Sequence, residues 1–90
     1  MKEYINKILH DVSGLVIGMN EGGTSMIFGQ NDEWVVLGEK ELKTVISELK
    51  KDVMTGKFDG FDYSMREKGL LLNQQGHSVY INRDVFATIV

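Results

Sequence analysis

The stretch SMIFGQNDEWVVLGEKELKTVI, residues 25–46, holds two apolar runs, a polar turn between them and the start of an amphipathic segment. "MIF" and "WVVL" have the aromatic and β-branched character of strands. "GQND" between them carries residue types that tolerate tight turns. From Glu39 onward, Leu42, Val45, Ile46, Leu49 and Val53 recur at helical spacing and the charged residues take the opposite face, which predicts a helix over 39–54. Gly38 stands at the N-cap position with Glu41 three residues on, and Gly56 is placed to end the helix.

The chain ends on GLLLNQQGHSVYINRDVFATIV, residues 69–90, and this stretch rewrites the first. Met26, Ile27 and Phe28 align without gaps on Leu70, Leu71 and Leu72, and Gln30 aligns on Gln74. Val35, Val36 and Leu37 align on Val79, Tyr80 and Ile81, and Gly38 aligns on Asn82. Leu42, Val45 and Ile46 align on Phe86, Ile89 and Val90. An internal duplication and a shared binary pattern both account for the match, and both predict the same local structure.

Outward from these stretches, residues 2–12 place Tyr4, Ile5, Ile8, Leu9 and Val12 on one helical face, with Glu3 and Lys7 as an i,i+4 pair and Gly14 as the stop. "LVIGM" (15–19) and "TSMIF" (24–28) read as strands joined by the glycine-rich turn "NEGG" (20–23). "FDGFDY" (58–63) reads as one strand with Gly60 as a bulge. "LLLN" and "SVYI" flank the turn "QQGH", and Asn82 caps a short final helix. The fold class is therefore α+β, a single domain over 1–90, in the order α-βββ-α-βββ-(short α). It amounts to an αβββ unit used twice in a mostly antiparallel sheet with helices packed on it. The strands are apolar almost throughout, where a sheet with one wet face alternates. Both faces need cover, ninety residues supply little of it, and a homodimer is predicted.

The chain has no cysteine, which excludes a disulfide framework and a thiolate metal site. Its formal charge of −3 argues against a phosphate-backbone binder, so direct nucleic-acid binding is not expected. Lys7, His10 and Asp11 interrupt the apolar core that a signal peptide needs, and no run is long enough to span a membrane. A cytoplasmic location is the default expectation.

Chemistry-bearing motifs are sparse. "NEGG" reads as a hairpin rather than an anion cradle. His10 and Asp11 are adjacent, which on a helix keeps them off one face. His77 lies in a turn, and two histidines without ligand spacing make no metal site. Asp59 and Asp62 are the best carboxylate pair, but on a regular strand they point to opposite faces, and solvated edge aspartates are the simpler reading. The clusters "REK" (66–68) and "LKK" (49–51) are interleaved with acids and read as solvated surface. No enzyme, cofactor or metal is expected.

The aromatic residues carry the functional reading. Trp34 follows the acidic run "NDE" and aligns on Ser78, so the two halves differ there. Tryptophan and tyrosine are enriched at binding hot spots, although a core role for Trp34 is the competing explanation. The expected function is a non-enzymatic protein-interaction module that occupies a macromolecular partner, as an adaptor or inhibitor does. Its expected surface is Trp34, Phe61 and Tyr63 with Asp32, Glu33, Asp59 and Asp62, suited to a partner with a basic surface. The alternative is a small-ligand or nucleotide-binding protein with its site at a homodimer interface.

Overall fold

The computed structural model describes residues 2–50, 55–58, 61–65 and 69–89. A 3-10 turn at Lys2–Tyr4 leads into β1 (Lys7–Val12), β2 (Leu15–Met19), β3 (Ser25–Gln30), β4 (Glu33–Gly38) and helix α1 (Glu39–Lys50). The second half runs β5 (Thr55–Phe58), β6 (Phe61–Met65), β7 (Gly69–Gln74), β8 (His77–Asn82) and helix α2 (Arg83–Ile89). The strands form two antiparallel meanders, β1-β2-β3-β4 and β5-β6-β7-β8. The fold is α+β and mostly sheet.

Three expectations are corrected. The segment 2–12 is not a helix: it is the 3-10 turn followed by edge strand β1. Ser13 and Gly14 both have positive φ, 55° and 81°, and close a two-residue hairpin instead of ending a helix. The apolar spacing imitated a helix because the ladder shifts register between Ile8 and His10. That bulge turns Leu9 onto the core out of strand period. "FDGFDY" is not one strand, because β5 ends at Phe58 and pairs antiparallel with β6, which starts at Phe61. The expected bulge at Gly60 lies outside the described residues, as do 51–54 of the expected first long helix. Finally, there are two sheets and not one, and the order is ββββ-α-ββββ-α instead of α-βββ-α-βββ-(short α).

The two halves nonetheless share the order ββββα. Opposed residues of an antiparallel ladder share a face, and three rows face inward in each half. In the first sheet these are Leu15–Gln30–Glu33, Ile17–Phe28–Val35 and Met19–Met26–Leu37. In the second they are Gln74–His77, Tyr63–Leu72–Val79 and Leu70–Ile81, with Phe61 and Met65 at the corresponding register positions of β6. Every row member of β3, β4, β7 and β8 matches its counterpart at the separation of Glu33 and His77, 44 residues. The β2–β3 connection is two residues longer than the β6–β7 connection, so Phe61 takes the place of Leu15 and Tyr63 that of Ile17.

The inward rows make one core. Ile17, Phe28, Val35, Leu37, Leu70, Leu72, Val79 and Ile81 are all fully buried in a single cluster drawn from both sheets. The helices close it. Val45 of α1 and Phe86 of α2 are buried, and the Phe86 ring stacks on Phe28 of the other half with centroids 6.2 Å apart. Both helices begin as expected. The Glu41 carboxylate folds back over Gly38, and Asn82 Oδ1 accepts the Asp84 N–H at 2.8 Å. The inner face of each sheet is covered by the other sheet of the same chain.

Edge strands β4 and β8 meet where the sheets join, and each would be left with unused backbone groups. Glutamine side chains take them up. Gln74 Oε1 accepts the Val36 N–H at 2.8 Å, and Gln74 Nε2 donates to the Val36 carbonyl at 2.8 Å. Gln30 Oε1 accepts the Tyr80 N–H at 3.0 Å. A primary amide carries a donor and an acceptor side by side, so it substitutes for a strand neighbour. Gln30 and Gln74 are equivalent in the two halves, as are Val36 and Tyr80, so the clasp is reciprocal.

Candidate functional site

The inward rows are occupied by the core, so function has to be sought on the outward rows. In the first sheet the outward row Asp11–Val16–Gly29–Trp34 runs beside Ile8–Gly18–Ile27–Val36. In the second sheet the corresponding positions on β6, β7 and β8 are Asp62–Asn73–Ser78 and Ser64–Leu71–Tyr80. The halves agree inside and differ outside. Where the first sheet stacks Trp34 over Gly29, the second has a polar ladder. Asn73 Nδ2 donates to Asp62 Oδ1 at 2.7 Å, and Ser78 Oγ donates to Asn73 Oδ1 at 2.6 Å.

Two glycines shape the first outer face. A Cβ on Gly29 would run into the Trp34 ring, so the indole lies flat on bare backbone. A Cβ on Gly18 would collide with Ile5 Cγ2 and stand 2.7 Å from the Lys7 carbonyl oxygen. Gly18 therefore lets the N-terminal segment pack down, and the Asn6 N–H bonds the Met19 carbonyl at 2.8 Å. The segment covers only part of the face. Ile27 is buried, Val36 and Trp34 are half-buried, and Tyr4 and Ile8 are 63% and 51% exposed.

Two grooves open on this side. One, of about 530 Å³, is floored by Ile27 and Val36 and walled by Tyr4 and Ile5, with Glu3 and Glu21 at its rim. The other, of about 410 Å³, lies between Trp34, Val36 and the β7–β8 turn with Gln74, Gln75 and His77. Val36 lines both, so the grooves adjoin. Neither is lined by a lysine or arginine among the described residues. A hydrogen bond from its own backbone lowers the pKa of the Glu3 carboxyl from its ordinary value.

The residues singled out from sequence fall in separate places. Trp34 is on the outer face. Asp32 is exposed in the β3–β4 turn, and Glu33 pairs with His77 at the rim, Nδ1 to Oε2 at 2.6 Å. Tyr63 is corrected from surface to core: it takes the place of Ile17, opposes Leu72 and is 5% exposed. Asp62 is corrected from the rim of Trp34 to the outer face of the other sheet, where Asn73 holds it. Asp59 and the Phe61 side chain lie outside the described residues. His10 and Asp11 fall on opposite faces of β1.

Sequence reading missed Tyr4, Ile5, Glu21, Ile27 and Val36 as a surface. The false helix assigned the first two to a buried stripe. The usable signal was Gly18 and Gly29, glycines inside strands, which mark close approach of another group. Among the described residues no cluster of three or more His, Cys, Asp or Glu side chains could hold a metal ion. Among them, too, no helix is long and apolar enough to cross a membrane. No protein-family model, curated protein or solved structure matches this chain.

Proposed function

We propose that this protein is a non-enzymatic interaction module that works by occupying a protein partner, as an adaptor or inhibitor does, through the outer face of its first sheet. The observation that carries the reading is Trp34. It is half-exposed on an outward row whose equivalent position in the other half is Ser78. The inner rows, which occupy equivalent positions in the two halves, do not call for a large ring at that place. The ring continues a patch that includes Val36, Ile8 and Tyr4, and contiguous exposed apolar surface marks interaction sites. A tryptophan and a tyrosine spaced along such a patch suit the buried anchors of an interface.

The rim adds a preference. Glu3 and Glu21 border the patch and favour a partner with a basic surface. The same charges oppose nucleic acid and anionic lipid. A second copy of the chain would set the acidic rim against itself.

The test is affinity purification from an extract of the producing organism, with wild type, Trp34→Ala and Ile8→Glu run in parallel. The reading expects a stoichiometric partner protein with the wild type and its loss with both variants, while their thermal melts stay close to wild type. Retention of the same partner by both variants rejects the outer face as the site.

A further inference from the structure

We infer that the groove between Trp34 and His77 receives one aromatic side chain of the partner protein that carries a hydrogen-bond donor, the phenol of a tyrosine or the indole of a tryptophan. This rests on the interaction reading above and deepens it. Trp34 forms one wall of the groove, and one face of its ring is spent on the bare backbone of Gly29. The ring is half-exposed, so the opposite face is left for a ligand. Val36 adds hydrocarbon beside it. An aromatic ring set against an indole gains stacking beyond its area of contact.

The other wall selects a donor. His77 Nδ1 meets Glu33 Oε2 at 2.6 Å. An ionised carboxylate only accepts, so Nδ1 carries the hydrogen and Nε2 of the neutral ring keeps its lone pair. Among the described residues nothing is bonded to Nε2. A purely apolar occupant would strip water from that nitrogen and leave it unpaired, at a cost in affinity. A charged occupant finds no counter-charge. Among the described residues the lining is Trp34, Val36, Gln74, Gln75 and His77, and the Glu33 carboxylate is already held by His77. A neutral ring bearing an O–H or N–H group meets the demands of both walls.

Both walls are set before a ligand arrives. Gln74 Oε1 and Nε2 are each bonded to the Val36 backbone at 2.8 Å, which fixes that part of the lining. Glu33 orients the imidazole, and Gln75 and Gly76, with φ of 50° and 82°, close the tight turn that leads into His77. Walls set in advance reduce the ordering cost of binding. The volume, about 410 Å³, lies in the range of roughly 300–1,000 Å³ common for ligand sites.

The experiment is an NMR titration of isotope-labelled protein at about pH 8, where imidazole is ordinarily neutral. The probes are the N-acetyl amides of tyrosine, tryptophan, phenylalanine and O-methyltyrosine, of which the last two keep the ring and lack the donor. Methyl β-glucoside, a neutral ring with hydroxyl groups, is the control for a saccharide. The expected result is saturable shifts at the Trp34 indole N–H and the amides of Gln75 and His77 with tyrosine and tryptophan. Phenylalanine and O-methyltyrosine bind about 2- to 10-fold more weakly. Trp34→Leu weakens the tyrosine amide about 2- to 10-fold. His77→Leu, which keeps an apolar wall and removes the acceptor, abolishes the preference for tyrosine over phenylalanine while the shifts persist. Equal binding of phenylalanine, a preference that survives His77→Leu, tighter binding of the glucoside, or shifts confined to other surfaces each overturn the inference. So does a concentration-dependent dimer abolished by Tyr4→Ala, which would make the exposed Tyr4 of a second copy the occupant. Loss of the protein partner in Trp34→Ala without donor-selective shifts overturns the aromatic site and leaves the interaction reading standing. Donor-selective shifts without a Trp34-dependent partner do the reverse.

Discussion

Glu33 and His77, 44 residues apart in the chain, lie 2.6 Å apart in space, Oε2 to Nδ1, at equivalent positions of the two halves. A residue can meet its own counterpart only near an axis that relates the halves. The pair therefore marks the centre of an approximate two-fold within one chain, with the Gln30 and Gln74 clasps on either side.

The central pair is not what holds the halves together. Its side chains are 41% and 54% exposed, and exposed ion pairs contribute little. Glu33→Gln and His77→Ala are each expected to change the unfolding free energy by less than about 1 kcal/mol in urea titrations. A loss well above that from either one would make the pair a structural anchor.

The glutamine clasps matter more, and unequally. Gln74→Ala removes two hydrogen bonds to Val36, whereas Gln30→Ala removes one to Tyr80. Leaving part-buried backbone groups unpaired costs about 1–3 kcal/mol per group. Urea unfolding should rank Gln74→Ala as the more destabilising of the two. The opposite order would show that water replaces the Gln74 amide without loss.

Trp34 and Gly29 are expected to behave as a unit. Trp34→Ala leaves the core intact and should cost far less than Phe28→Ala, for which about 3–5 kcal/mol is usual. Gly29→Ala drives a methyl into the indole and should cost about 1–3 kcal/mol. In the double variant that collision disappears, so the cost of Gly29→Ala should fall when Trp34 is already alanine. A double-mutant cycle in urea checks this, and additive costs would mean that the ring does not rest on Gly29.

Gly18 governs the N-terminal segment. Gly18→Ala should lift Ile5 and break the Asn6–Met19 bond while sparing the Gln74 clasp on the far edge of the sheet. Hydrogen exchange is the direct readout. Faster exchange is expected at Asn6, with the amides of Ile27 and Phe28 close to wild type. Unchanged protection at Asn6 would show that the seat of Ile5 does not hold this segment.

The sequence alone determined whatever depends on neighbours in the chain. Binary pattern and turn chemistry located β3, β4, β7 and β8, their tight turns and both helix starts, because strand period, turn residues and caps act over a few residues. The shared pattern of residues 25–46 and 69–90 was legible for the same reason. Tertiary structure decided the rest. A bulge, visible only once β1 pairs with β2, turned a helical spacing into a strand. A connection two residues longer in one half moved Tyr63 into the place of Ile17 and so into the core. Packing between halves covers the inner face of each sheet. The candidate site was least legible, since Tyr4, Glu21, Ile27 and Val36 share a face only through strand register and the space above Gly18. Register is a long-range property, set by which strand pairs with which, and no local pattern along the chain encodes it.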